Sequence, residues 1–185
     1  MEYLLGVLLG IGLAAACGFR VFVPLLVISI AALAGRLELA PDFAWLGSWP
    51  ALVIFAVATG LEIAAYYLPW LDQLLDLAAT PAAVVAGIVV TASVVTGMSP
   101  ALRWPLAIIA GGGIAGAVQF VTTSLRRASA SVTAGLSQPA AVTLETGGSA
   151  GMSVLSVLLP VAAGALAVAV LGLLSWLAFR RRPAR

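Results

Sequence analysis

The chain contains no histidine and no lysine, one cysteine (Cys17), and only 9% charged residues. Each scarcity closes a class of chemistry. Without histidine and with a single cysteine, the usual zinc, copper and haem ligand sets are missing. No internal disulfide can form, and the commonest general base is gone. No Ser-His pair, HExxH, paired-Asp protease or CxxC pattern is present, so the reading is of a protein that is not an enzyme and uses no metal and no cofactor. The shortage of charge decides more. A soluble domain carries roughly 25% charged residues to cover its surface. Nine arginines and seven acids, in a chain 63% hydrophobic with mean hydropathy +1.16, cannot do that. The solvent for most of the surface is therefore lipid. That excludes a cytosolic enzyme, a secreted disulfide scaffold and a nucleic-acid-binding domain; membrane lipids are the expected partners.

The net charge of +2 comes largely from Arg180, Arg181, Arg182 and Arg185. The pI of about 9.2 thus describes a basic tail, 180–185, flanking a membrane segment. At the other end, Leu13-Ala14-Ala15-Ala16-Cys17 has the look of a lipoprotein cleavage box. Glu2 stands where a signal peptide carries positive charge, and the chain stays apolar through Val21-Phe22-Val23-Pro24-Leu25-Leu26. The expectation is a retained first membrane segment, with Cys17 a small packing residue.

A membrane helix needs about 20 apolar residues to cross a core of roughly 30 Å. The first apolar stretch, Tyr3 to Gly35, is too long for one straight span, and Gly18-Phe19-Arg20 and Pro24 interrupt it. A kinked helix or two half-length pieces meeting near Arg20 are expected. Residues 36–49 read as an interfacial loop anchored by Trp45 and Trp49. A second span runs from Pro50 to Tyr67 and carries Glu62. In the short amphipathic piece that follows, Asp72 and Asp76 share a helical face and read as interfacial acids. Thr80-Pro81 has the form of a helix start, opening a third span over 81–98. The fourth covers Pro105 to Ser124, with Arg103 and Arg126-Arg127 at its ends and Gly112 and Gly116 as a GxxxG packing pair. The last apolar run, Ala150 to Phe179, is long enough to cross once with tilt.

Residues 127–149 are too polar to face lipid and nearly uncharged. Under the positive-inside rule, Arg126-Arg127 and the C-terminal arginines both prefer the cytoplasm. If the last run crosses once, the chain must cross back between 128 and 149. This piece is then a crossing or a re-entrant segment, surrounded by protein or a water-filled cavity. The other arrangement leaves Arg126-Arg127 outside and the segment an ordinary loop. The buried arrangement is favoured, with a break near Gln138-Pro139 close to the Gly18–Pro24 break. Pro81-Ala82-Ala83-Val84 recurs as Pro139-Ala140-Ala141-Val142, by chance in an Ala-rich chain or because 1–98 and 99–179 are related halves of one domain, 1–185. Such repeats put binding sites near the midplane, where broken helices meet. The expected fold is all-α: a polytopic transmembrane helical bundle of about five or six membrane segments, two of them interrupted.

Arg20 is the sharpest single signal. An arginine in mid-span costs about 2.5–3.5 kcal/mol on insertion scales, so it faces protein or water and has a partner. Glu62 and Glu145, the two other charges in apolar or small-residue surroundings, are the candidate partners. The pair is either a lock between helices or, with Arg20 gripping an oxyanion bidentately, part of a site in which a carboxylate carries protons. Gln119 lines a path or bonds across helices. Gly18 with Pro24, and Gly135 with Gln138-Pro139, are Gly-then-Pro breaks that expose a helix N-terminus to anions. Arg20 is expected in the interior, within pairing distance of Glu62, Glu145 or a bound anion.

Gly18-Phe19-Arg20-Val21-Phe22-Val23-Pro24 has the form G-x-R-x-F-x-P, and Glu62 through Asp72 that of E-x-x-A-x-x-x-P-x-x-D, with Asp76 beyond. Gln138-Pro139 is followed by Glu145. In these motifs the chain resembles a bacterial family of small integral membrane proteins catalogued as a domain of unknown function. The resemblance covers nearly the whole chain and implies a multi-pass protein of the bacterial inner membrane. Tyr66-Tyr67 stand where many members have Asp-Lys, and Gln138 replaces Asn, which counts against a charge mechanism built on the Asp-Lys pair. The functional expectation is a small transporter or channel-like permease for an anionic or small polar solute, a homo-oligomer with its C-terminus in the cytoplasm. A lipid flippase or scramblase gripping a phosphate headgroup is the second reading, and a structural or assembly subunit the third.

Overall fold

The computed structural model describes residues 2–65, 69–133 and 138–180, with the side chains of 3–65, 78–126 and 142–172. Among the described residues it holds eight α-helices and no strand, so the all-α expectation is met. They are α1 (Glu2–Cys17), α2 (Phe22–Leu33), α3 (Trp49–Ala65), α4 (Pro69–Val94), α5 (Pro100–Leu106), α6 (Gly113–Thr133), α7 (Gln138–Leu158) and α8 (Pro160–Arg180). A 3-10 turn, Pro41–Gly47, precedes α3, and a π-helical stretch, Ala107–Gly112, joins α5 to α6.

Glycine sets how closely the helices approach. A Cβ on Gly87 would stand 2.5 Å from Ala115 Cβ and 2.6 Å from the Gly111 carbonyl oxygen, so α4 crosses the α5–α6 rod backbone to backbone. Gly112 and Gly116 face Ile88 and Val84 of the same helix, as the GxxxG spacing predicts. Gly35 adopts φ 66° and closes α2: its N–H donates to Ala32 O, and Arg36 N–H to Ala31 O. That double bond is a Schellman cap, which needs a residue free to adopt positive φ.

The contacts fix the direction of each helix. Gly6 lies against Val94 and Gly10 against Thr91, so α1 runs antiparallel to α4. Tyr3 lies against Gly97, and Ala40 N–H donates to Ser93 O at 2.8 Å. The start of α1 and the chain beyond α2 therefore meet the same end of α4. α1 and α2 form a hairpin that enters and leaves at one end of the bundle, with its tip at Gly18–Val21. α7 runs the other way along α1, since Ser149 binds Ala16 and Ser156 faces Gly12. α8 then folds back over α7: Ser156 and Ala163 converge on Gly12, and one cavity is lined by Gly148 to Leu155 and by Leu166 to Val170. This second hairpin enters from the opposite end.

Several boundaries differ from expectation. Pro81 lies inside α4 rather than at a helix start, although an interior proline gives up one backbone hydrogen bond; the residues after it, Ala83, Ala86 and Val90, are buried in the core. The last apolar run is not one continuous helix; it is cut at Leu159, where Pro160 opens α8. Residues 127–149 are no loop, since α6 reaches Thr133 and α7 starts at Gln138; 134–137 lie outside the described residues. The five or six segments are not matched by as many continuous long helices. Among the described residues, Pro100–Arg126 alone is long and apolar enough to cross a membrane, with Pro41–Gly47 plus Trp49–Ala65, bent by 64°, a second if counted as one broken span. Breaks leave Tyr3–Cys17, Phe22–Leu33, Ala78–Val94 and Pro160–Gly172 shorter.

Along α6 and α7 polar residues face the interior and large apolar ones the surface, beside a core that elsewhere is mainly apolar. Gln119, Thr123, Arg126, Ser149, Ser153 and Ser156 are buried, whereas Ile109, Phe120, Leu125, Leu144 and Leu158 are exposed. A soluble amphipathic helix turns its apolar stripe inward; α6 and α7 turn theirs out.

Candidate functional site

The tip of the first hairpin is stitched into the bundle by side chains from three other helices. α1 ends at Cys17 because Gly18 must be glycine. A Cβ there would stand 2.5 Å from Val118 Cβ and 2.7 Å from the Ala115 carbonyl oxygen of α6. Two carbonyls at this helix end accept from hydroxyls, one of them, Ala16 O, in addition to the Phe19 and Arg20 amides at 3.1 Å each. Ser149 of α7 donates to Ala16 O at 2.9 Å and Thr122 of α6 to Gly18 O at 3.3 Å. The amides that open α2 find a carboxylate, since Val21 N–H donates to Glu62 Oε1 at 2.9 Å and Phe22 N–H to Glu62 Oε2 at 3.2 Å. A carboxylate at a helix N-terminus is stabilised by both the amides and the helix dipole. The anion position at this break is thus filled by the chain's own Glu62.

Arg20 sits between those two ends and is 1% exposed. Its Nη2 lies 3.5 Å from Glu145 Oε2 and 3.4 Å from Val142 O, both on α7. Glu62 is within its electrostatic reach on the other side. The same Glu145 Oε2 lies 3.5 Å from Arg126 Nη1 of α6, and Arg126 is also buried. Two guanidinia thus share one carboxylate oxygen. Charge-assisted N–H···O contacts close to about 2.7–2.9 Å where geometry allows, so this bridge is long at both of its ends. Removed from water, such a cluster needs every charge compensated. The arrangement can hold an oxyanion by the planar forks of two arginines, in the place that Glu145 now occupies.

The structure brings Arg20 and Glu145 together and sets Glu62 at the neighbouring amides. Gln119 is buried but stays on its own helix, with Nε2 donating to Thr123 Oγ1 at 3.0 Å. Pro24 does not make the break. It lies in the first turn of α2, where a proline costs no intrahelical bond; the break itself is Gly18–Val21. Gln138 and Pro139 open α7, but their side chains, like those of Asp72 and Asp76 on α4, and Gly135 altogether, lie outside the described residues. Among the described residues no three Cys, Asp or Glu side chains are grouped to hold a metal ion.

Arg126 was missed, being read with Arg127 as a helix-end anchor. Its signal is on α6: Gln119, Thr122, Thr123 and Arg126 recur at i, i+3, i+4 and i+7, one polar helical face. Arg103, read likewise as an end marker, is a second buried arginine. It pairs with exposed Asp42 and lies 5.7 Å over the Phe43 ring, tying the 3-10 turn to α5 at the end of the bundle.

Two apolar cavities flank the tip. One, of about 250 Å³, is walled by Ala15, Phe19, Val118, Gly148, Gly151 and Ala167 among others. The other, of about 480 Å³, is walled by Val21, Phe22, Leu25, Phe55, Pro81 and Val85 among others. Arg20 is the residue between Phe19 of the first wall and Val21 of the second.

A family model described as "Domain of unknown function (DUF4126)" matches residues 7–180. The chain belongs to that family. The DUF4126 match takes in both hairpins, the break at Gly18–Val21 and all of Arg20, Glu62, Arg126 and Glu145. No curated protein and no solved structure matches the chain, so the reading of this DUF4126 member rests on its own geometry.

Proposed function

We infer that the chain is a polytopic protein of the bacterial inner membrane that moves an anion past the buried Arg20–Glu145–Arg126 cluster. One observation carries the reading: two buried guanidinia share a single carboxylate oxygen at 3.5 Å each. Guanidinia from two separate elements converge on one carboxylate, so an oxyanion that took the place of the carboxylate would meet both planar forks. Glu145, 13% exposed, is then the internal counter-ion that holds the site when cargo is absent. Glu62 keeps a fixed position as the cap of α2.

The membrane setting is supported by the outward apolar faces of α6 and α7 and by the exposed Trp45 and Trp49 at one end. It is supported further by the apex of the second hairpin. Leu158, Leu159 and Val161 are exposed there, and no polar residue occurs between Ser156 and Ser175. A turn facing water carries polar residues; an all-apolar turn belongs in hydrocarbon. Two hairpins enter from opposite sides, and the tip of the first, with Arg20, lies beside the limb of the second that carries Glu145, which supports a site where interrupted helices hold a substrate. Because α8 returns toward the end where α6 finishes, Arg126 and the C-terminal end of α8 lie on one side, which the positive-inside rule assigns to the cytoplasm.

Proteoliposomes test it. The transbilayer movement of inorganic phosphate and of a fluorescent phosphatidate is followed with wild-type protein and with Arg126→Gln. At least one probe is expected to move faster than in protein-free vesicles. The variant should lose that movement by about ten- to hundredfold, the worth of one charge-assisted hydrogen bond of about 1.5–3 kcal/mol. If neither probe moves, the reading falls and the charges serve assembly.

A further inference from the structure

We propose that the Arg20–Glu145–Arg126 cluster is open to one face of the membrane only, the face on the Arg126 side, and is closed toward the Trp45 side by the seam between α1 and α7. This rests on the anion-site reading above and adds the side from which the site is loaded and the contact that must part for release. The level of the cluster follows from helix geometry. Trp45, Trp49 and Trp104 are exposed at the end of the bundle where Arg103 pairs with Asp42, and such tryptophans sit at headgroup level. The rod Pro100–Arg126 is long and apolar enough to cross. At 1.5 Å per residue, Gly18, which meets Ala115 and Val118, stands about 20 Å beyond Trp104, and Arg126 about 30 Å beyond it. A hydrocarbon core is about 30 Å thick. Arg126 therefore reaches the opposite headgroup layer, and the hairpin tip lies past the middle, toward the Arg126 side.

Side chains on the two sides of the tip differ accordingly. Toward Arg126, Glu145 keeps 13% of its side chain exposed, and Thr122 and Thr146 are half-buried. Thr122 donates to Gly18 O, and Thr146 to Val142 O, the carbonyl that Arg20 also meets. Toward Trp45, Ser149, Ser153 and Ser156 continue the inner face of α7 and are fully buried. Their hydroxyls donate to the carbonyls of Ala16, Ser149 and Met152 at 2.9, 2.7 and 2.7 Å. A hydroxyl has one proton to give, so these three have none for a passing anion. Glycines draw the walls together along the same stretch. A Cβ on Gly12 would collide with Ser156 Oγ and stand 3.0 Å from Ala163 Cβ. One on Gly10 would stand 2.9 Å from Thr91 Cγ2, and one on Gly164 2.6 Å from Leu8 Cδ2. α4, α7 and α8 thus close on α1 from three sides. An anion that reaches Arg20 from the Arg126 side meets a closed end, and its onward passage needs α1 to part from α7.

Cysteine accessibility tests this in the full chain carrying Cys17→Ser, with an anionic, impermeant methanethiosulfonate applied to right-side-out and to inverted membrane vesicles. Glu38→Cys, exposed beyond α2, marks the Trp45 face. Thr122→Cys and Thr146→Cys are expected to react only from the opposite face. Ser153→Cys and Ser156→Cys should react at least about tenfold more slowly from either face, since a thiol whose pKa rises one unit in dry surroundings keeps about a tenth of its reactive thiolate. Each pair holds a second variant in case one fails to fold, and only variants of wild-type Tm are read. Reaction of the threonine positions from both faces, from the Glu38 face alone or from neither overturns the one-sided opening. Reaction of a serine position from the Glu38 face at the rate of Thr122→Cys overturns the closed seam. Inorganic phosphate on the reactive side, or phosphatidate added to the vesicle lipid, should slow the Thr122→Cys reaction by about half at half-saturation. One-sided reaction that neither phosphate probe slows leaves the opening standing and overturns the anion site instead.

Discussion

The chain reverses direction inside the bundle at two places, and it does so by opposite means. At Gly18–Val21 the reversal exposes backbone groups, and Ser149, Thr122 and Glu62 come from three helices to satisfy them. At Leu159–Pro160 nothing comes. Leu159 N–H still donates to Leu155 O at 2.7 Å and Ala163 N–H to Leu159 O at 3.0 Å, and proline has no amide to strand. The second corner thus keeps helical hydrogen bonds on both sides of Leu159, apart from the one that Pro160 cannot donate to Ser156 O, and sits among exposed apolar side chains. The first bonds the Gly18, Phe19 and Arg20 amides within its own turn and takes the rest from other helices, which set Arg20 beside α7. A break that must be satisfied from outside gathers polar groups, and gathered polar groups in an apolar interior are where a site can arise.

This contrast can be broken most sharply at the cluster. Glu145→Ala removes a carboxylate that two buried guanidinia share and is expected to destabilise the protein by about 3–5 kcal/mol, read by denaturant unfolding in detergent micelles. The triple change of Arg20, Arg126 and Glu145 to methionine should recover most of that loss. A single-variant loss below about 1 kcal/mol would mean the charges are already hydrated. Next, Glu62→Ala removes the acceptor of two amides, at a cost of about 1–3 kcal/mol for each donor left unsatisfied. Glu62→Gln keeps one acceptor oxygen and should return about half; hydrogen exchange at Val21 and Phe22 reports the cap directly. Gly18→Ala drives a Cβ against Val118 and the Ala115 carbonyl, an overpacking worth about 1–3 kcal/mol, visible as a lowered Tm. Ser149→Ala should cost about 1 kcal/mol. Smallest of all, Pro160→Ala at the self-satisfied corner should stay within about 0.5 kcal/mol. If it matches Glu62→Ala instead, the two corners are not different in kind.

Much of this was legible in the residues. Arg20, Glu145 and the break beginning at Gly18 stand out because a charge in an apolar run has few places to go. Glu62 stands out for the same reason, but the sequence offered it as a partner for Arg20 and could not show that it caps α2. Arg126 was hidden by Arg127: two adjacent arginines look like a membrane-surface pair, and only the period of Gln119, Thr122 and Thr123 assigns Arg126 to the inner face. Pro160 was hidden by its neighbours, since leucine and valine on both sides give no change of composition at the corner. Pro81 misled in the opposite sense, because Thr-Pro is a helix start when the preceding turn is free and an interior position when it is packed.

Composition alone determined how apolar the chain is and the short roster of charges able to matter, and the long interrupted apolar runs pointed to helices, because apolar content and the cost of burying charge are properties of residues. Which charges meet, which break needs partners and which reversal supplies its own bonds were decided only by the tertiary structure. Those depend on helix direction and on distances of a few ångströms between residues as far apart in the chain as Arg20 and Glu145. A linear pattern carries the period of one helix but not the identity of the helix packed against it.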